Sequence, residues 1–184
     1  KIIVSTDSTR IKKEAEKLDI EVPFLRKNAI DDNASVHDAT LEAIIQTEKI
    51  YGKYDIVLQL MPNCPLRTHK GCNEAIKLFF ENKNKSVISF YKFEWMNPWW
   101  AHRWNKSKFE NIFEKSVFKR SQDLPDLFCP TGAVWVSSIN KLKKYNSFYS
   151  PNYIPFVMDL FSAIDIDTFA DLKLANIFFK EIDF

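Results

Sequence analysis

Seven residues, Asp55-Ile56-Val57-Leu58-Gln59-Leu60-Met61, make a nearly continuous apolar run that stops at Pro62-Asn63-Cys64-Pro65. A run of this length and composition is typical of a strand buried on both faces, the setting found in parallel sheets. Its neighbours agree. Upstream, Leu41, Ile44, Ile45 and Ile50 recur at helical spacing, and downstream Ala75, Ile76, Phe79 and Phe80 do the same before another strand over 86–93. The alternation extends outward. Residues 1–6 read as a strand, Ile11, Ala15 and Leu18 as a helix, 20–24 as a second strand, 27–35 as a loop, 132–136 as a strand and 139–144 as a short helix. Strands alternating with helices imply an α/β fold, a mostly parallel sheet with helices on both faces. Residues 1–184 are expected to form a single domain.

The last part of the pattern, residues 162–175, joins a pair of carboxylates to a helix start. In an extended segment Asp165 and Asp167 project to one side and Ile164 and Ile166 to the other, so a strand is expected to end here. Thr168 followed by Asp171, with Leu172, Ala175, Phe178, Phe179 and Ile182 at helical spacing, reads as a capped amphipathic helix. Paired hard oxygen donors suit Mg²⁺ and leave coordination positions open for phosphate, whereas a pair of solvated loop carboxylates is the plainer reading of the motif by itself. Three further polar clusters also follow predicted strands: Asp7-Ser8, Arg26 with Asp32 beyond it, and Asn63 to Arg67. A parallel sheet would bring all four to one edge, where α/β sites are assembled. Arg120-Ser121-Gln122-Asp123 supplies a guanidinium able to hold a carboxylate or phosphate with two hydrogen bonds.

The alternation breaks over residues 94–123. Trp95, Trp99, Trp100, Trp104, Phe109, Phe113 and Phe118 are interleaved with Lys and Arg without a sustained period, which suggests hairpins or an arm outside the main sheet. Such a mixture can stack single-stranded bases, but a subunit interface is the favoured reading. With 26 Lys and Arg against 24 Asp and Glu, net charge +2, the chain gives no electrostatic case for nucleic acid. No apolar run reaches membrane-spanning length. Cys64, Cys72 and Cys129 form no C-x-x-C pair and have no histidine at ligand spacing, so reduced thiols and a cytoplasmic location are expected.

Several short motifs, taken in order, resemble the acylneuraminate (CMP-sialic acid type) cytidylyltransferase family almost from end to end. They are Val4-Ser5-Thr6-Asp7-Ser8, Val22-Pro23-Phe24-Leu25-Arg26, Asp32-Asn33-Ala34-Ser35, Pro65-Leu66-Arg67, Arg120-Ser121-Gln122-Asp123-Leu124-Pro125, Thr131-Gly132-Ala133 and Ala163-Ile164-Asp165-Ile166-Asp167-Thr168. The resemblance implies a Rossmann-like nucleotidyltransferase fold with a protruding dimerisation arm at 94–123. It also implies a reaction in which the anomeric hydroxyl of a sialic-acid-like keto sugar acid attacks the α-phosphate of CTP and releases pyrophosphate. Asp165 and Asp167 would hold Mg²⁺, Arg26 and Asp7 would serve the nucleotide, and Arg120 and Gln122 would orient the sugar acid. Met61, Asn63 and Arg67 complete the expected substrate side.

The family's L-Q-P-T-S-P-L-R segment stands here as Leu60-Met61-Pro62-Asn63-Cys64-Pro65-Leu66-Arg67, so Met61 replaces a glutamine associated with sugar recognition. The family's glycine- and lysine-bearing nucleotide loop has no counterpart, from which an N-terminally truncated chain is expected. The alternative from another class is a degenerate, non-catalytic nucleotide-binding and dimerisation module.

Overall fold

In a computed structural model of the protein, residues 1–30 and 34–181 are described. The helices are α1 (Thr9–Glu16), α2 (Val36–Tyr51), α3 (His69–Glu81), α4 (Ile139–Tyr145) and α5 (Phe169–Phe179). Strands β1 (Ile56–Gln59), β2 (Val87–Lys92), β5 (Phe128–Ser138) and β6 (Ile154–Met158) form a four-stranded sheet in the order β1-β5-β2-β6. A separate two-stranded hairpin joins β3 (His102–Asn105) and β4 (Lys108–Asn111). Helix α3 links β1 to β2, yet β5 lies between those strands, an ordering reached only through crossover connections.

The chain forms two compact units. The first comprises Lys1–Gln59, Leu78–Val87 and Val136–Ile154, and the second Leu60–Lys77, Ile88–Trp135 and Pro155–Phe184. In the first, Val22, Ile44, Phe79, Val136, Leu142 and Phe148 are buried. Ser86 Oγ lies 2.9 Å from both Ser137 Oγ and Ser150 Oγ, so three buried hydroxyls satisfy one another. In the second unit Ile88, Ala133 and Val134 are buried on their strands, and Ser89 Oγ accepts the Val134 N–H at 3.1 Å.

Local sequence explains the helix boundaries. Ser8, Ser35, Ser138 and Thr168 each accept a backbone N–H in the first turn of α1, α2, α4 and α5, as short hydroxyl side chains do at N-caps. Gly52, at φ 86°, ends α2 in a conformation that a side chain disfavours.

Three expectations need revision. Segments 1–6 and 20–24 do run parallel, with hydrogen bonds from Val4 N to Glu21 O and from Arg26 N to Thr6 O, both 2.9 Å, but share only the bridge Thr6↔Leu25 and form no strand ladder. The last sheet strand is β6, not the segment carrying Asp165 and Asp167. Pro155 disguises β6, because proline cannot donate to a ladder, and β6 accordingly lies at the sheet edge. Strand β5 reaches well beyond the expected 132–136. The Asp32-Asn33 part of its motif, and Ile182, lie outside the described residues.

Candidate active site

Within the second unit, the segment after β1 is a self-bonded turn. Met61 N–H donates to Gly132 O on β5 at 3.0 Å, and Cys64 N–H donates to Met61 O at 3.2 Å. Arg67 folds back over this turn, its Nη1 donating to the carbonyls of Met61 (2.6 Å) and Cys64 (2.5 Å). Burial holds the guanidinium below its usual pKa range, and the two carbonyls replace water as its partners. Much of Arg67 is thereby committed to shaping the turn. Met61 lies so close over Gly132 that any β-carbon there would collide with the methionine side chain, which accounts for glycine at this point of β5.

The carboxylates approach the turn from the other side. After β6, Asp159 accepts the N–H and hydroxyl of Ser162 at 2.8 and 2.9 Å, turning the chain sharply. Ile164 then enters a small core with Leu66 and Ala175, flanked by Ile166 and Phe178. The alternation of isoleucine and aspartate thus does separate an apolar from an acidic side, although no strand forms. Ile166 N–H donates to Asn63 O at 2.9 Å, a partner in the turn rather than in a sheet. Asp165 and Asp167 are left exposed.

Two side chains flank this pair. Cys64 is fully buried, and its Sγ lies 3.7 Å from Asp165 Oδ1. Burial, reinforced by the neighbouring Asp165 charge, pushes the thiol up to about 12, so it carries its proton and is a donor. Asp171 Oδ2 accepts the N–H groups of Asp167 (3.2 Å) and Thr168 (2.7 Å) and the Thr168 hydroxyl (2.7 Å). That capping box holds the Asp171 carboxyl below its ordinary pKa and occupies it with the helix start. Asp165, in contrast, is raised, first by partial burial and then by the charge of Asp167.

A carboxylate made harder to ionise by partial burial and then by a neighbouring carboxylate is a place where a cation is favoured. Among the described residues no group of three His, Cys, Asp or Glu side chains gathers into a metal cage. Two exposed carboxylates one residue apart are a donor set that could hold Mg²⁺, which keeps several waters and commonly takes one or two carboxylates together with substrate phosphates.

The remaining expected residues stand elsewhere. Arg120 precedes a short 3₁₀ turn, Ser121–Asp123, and holds Asp123 through Nε–Oδ2 (2.8 Å) and Nη2–Oδ1 (3.0 Å). The fork geometry suited to a carboxylate is thus present, occupied by one of the protein's own. Gln122, exposed beside it, accepts from Ser121 Oγ at 3.4 Å. In the first unit Arg26 Nη1 donates to Ser5 O at 3.4 Å and Nη2 lies 3.9 Å from Asp7 Oδ1. Arg26 Nε and Ser5 Oγ are buried without a hydrogen-bond partner among the described residues, so this corner has donor capacity unspent.

No family model matches the chain. A pseudaminic acid cytidylyltransferase of Campylobacter jejuni subsp. jejuni is 29% identical over 181 residues, 97% of this chain and 78% of the relative. A CMP-N,N'-diacetyllegionaminic acid synthase of Legionella pneumophila is 26% identical over 184 residues, 95% of this chain and 76% of the relative. The chain is similar to sialic-acid-type CMP-sugar cytidylyltransferases along nearly its whole length. A solved CMP:2-keto-3-deoxy-manno-octonic acid synthetase, complexed with CTP, covers 97% of this chain at a TM-score of 0.65 and 13% identity, with 80% of its own length matched. That likeness establishes the nucleotidyltransferase fold. Cys64 carries no metal-site or redox spacing in the sequence and so is not legible there as a site residue. Only its place two residues before Leu66, a core partner of Ile164, could have hinted at Asp165.

Proposed function

We propose that the protein is a CTP-dependent cytidylyltransferase that transfers CMP to the anomeric hydroxyl of a sialic-acid-like keto sugar acid. The observation that carries the reading is the Asp165–Asp167 pair held against the Leu60–Arg67 turn in a chain whose relatives make CMP-activated sugar acids. In the reaction the hydroxyl oxygen bonds to the α-phosphorus of CTP, the bond from that phosphorus to the bridging oxygen breaks, and pyrophosphate leaves with the pair of electrons. The hydroxyl proton passes to solvent. Catalysis of this kind is mainly positioning and charge neutralisation.

Asp165 and Asp167 would hold Mg²⁺, which when bound neutralises phosphate charge. Arg26, with its unspent Nε, contributes a donor to the nucleotide, and Asp7 sets the direction of its guanidinium. Arg120 exchanges Asp123 for the carboxylate of the sugar acid, a low-cost exchange because both side chains are exposed and the pair is worth little in water. Gln122 adds a hydrogen bond to the sugar. Met61 presents an apolar side chain backed by Gly132, with Asn63 beside it on the same turn, while Arg67 keeps that turn in shape.

A homodimer through the 94–123 arm belongs to the same proposal. Trp95 and Phe118 are 80% and 91% exposed, and Trp104 and Phe109 stack edge to face on the hairpin at 4.7 Å while still largely exposed. A patch of that kind is ordinarily covered by a partner. Sedimentation is expected to give a dimer, and a monomer at high concentration would reject this part. The three free cysteines support a cytoplasmic setting, and no helix among the described residues is long and apolar enough to cross a membrane.

Incubating the protein with CTP, Mg²⁺ and a panel of 2-keto sugar acids tests the reading. Formation of a CMP-sugar with one of them is expected. Failure with every acid, while CTP still binds, would favour a non-catalytic nucleotide-binding module.

A further inference from the structure

We propose that Cys64 is a positioning residue whose thiol hydrogen bond to Asp165 fixes that carboxylate for metal binding, an inference that rests on the Mg²⁺ role given to Asp165 above. Two cross-links join the Leu60–Arg67 turn to the acidic segment. One is between main chains, from Ile166 N–H to Asn63 O at 2.9 Å, and sets the register of the two segments. The other is between side chains, from Cys64 Sγ to Asp165 Oδ1 at 3.7 Å, and sets the rotation of the carboxylate itself.

The two links do different work. The main-chain bond to Asn63 does not itself fix the side-chain torsions of the aspartate, and on this segment without strand or helix structure Cys64 is the side chain that donates to the carboxylate, beside the local Ile166 N–H. Cys64 can hold it because Cys64 cannot move. Its side chain is fully buried, its N–H is bonded to Met61 O, and its carbonyl is gripped by Arg67 Nη1 at 2.5 Å. Arg67 therefore acts on Asp165 at one remove, by locking the residue that orients it. Groups that hydrogen-bond a metal ligand in this way order it before the ion arrives, and removing them weakens metal binding although they never touch the ion.

Serine and alanine separate a donor from a filler at this position. Cys64→Ser keeps a hydroxyl hydrogen where the thiol was, and Cys64→Ala removes the donor at the cost of a small void. Binding of Mn²⁺ is measured by calorimetry on the full protein in the presence of CTP, beside thermal melts of the metal-free proteins. Cys64→Ala is expected to weaken Mn²⁺ binding about tenfold, the low end for such partners, and Cys64→Ser to remain within about twofold of the parent, since it restores the donor. Equal weakening by both variants, or none in Cys64→Ala, overturns the proposal. A parent that binds no Mn²⁺ overturns the metal role of Asp165 as well, so the two failures are distinguishable. Should Cys64→Ala not fold, the infrared S–H stretch decides. The band absent from Cys64→Ser is expected to move in Asp165→Asn, and an unmoved band overturns the bond.

Discussion

The two charged corners of this molecule are opposites. In the first unit Arg26 has an aspartate at 3.9 Å and a buried Nε with no hydrogen-bond partner among the described residues. In the second, Asp165 is partly buried beside another aspartate and is pushed toward its protonated form by both, burial first. One corner has unspent capacity for an anion and the other a deficit of positive charge. A folded chain tolerates each imbalance only at a cost in stability, and perturbed groups of this kind are where ligands are commonly taken. The contrast with Asp171 makes the point locally. That carboxylate lies four residues from Asp167, accepts three hydrogen bonds and is held below its usual pKa.

The largest expected effect comes from removing one member of the acidic pair. Asp167→Ala is expected to lower the rate of CMP-sugar formation by about a hundredfold or more, as losing a preorganised electrostatic group commonly does, and Asp165→Ala to act in the same direction. Rates unchanged across a Mg²⁺ titration would erase the contrast with ordinary loop carboxylates. Next in size is the opposite corner. Arg26→Ala is expected to raise the KM for CTP about tenfold or more through loss of a charge-assisted hydrogen bond, with the KM for the sugar acid changed less. Arg120→Lys gives a smaller, mirrored result, a rise of several-fold in the KM for the sugar acid that exceeds the rise for CTP, because an ammonium cannot reproduce the fork. Equal rises would remove Arg120 from the sugar side.

The smallest effect is on stability, and its sign follows from the raised pKa of Asp165. A carboxylate harder to ionise when folded than when unfolded costs stability at pH above its folded pKa, and the cost disappears as pH falls below the unfolded value. Asp165→Asn is therefore expected to stabilise the metal-free protein at pH 7 by less than about 1 kcal/mol, given its exposure, and to leave it unchanged near pH 3.5. A destabilising effect at pH 7 in thermal melts would contradict the strain assigned to the pair.

How far the sequence reached differs between these regions for physical reasons. The helix starting at Thr168 was legible because a capping box is a local pattern, needing only Thr168 and Asp171. The acidic face was legible from the alternation of Asp165 and Asp167 with Ile164 and Ile166. The strand assigned to them was not there, since the Ile166 N–H goes to Asn63, about a hundred residues away, and no periodicity reports such a partner. β6 was missed because Pro155 breaks the strand signal, and edge position, a property of the whole sheet, is what permits it. Arg120 was legible as a fork but not as one already filled by Asp123. Cys64 was invisible as a site residue, because its partner is set by tertiary packing alone.

Phosphorus-31 NMR of the protein with CTP, a competent keto sugar acid and Mg²⁺ tests the central claim most directly. The account predicts that the three CTP resonances decline together while a phosphodiester signal and pyrophosphate grow in equal amounts, and that omitting the acid or the metal stops both. Release of CMP and pyrophosphate without the sugar acid, or appearance of CDP with orthophosphate, would contradict it.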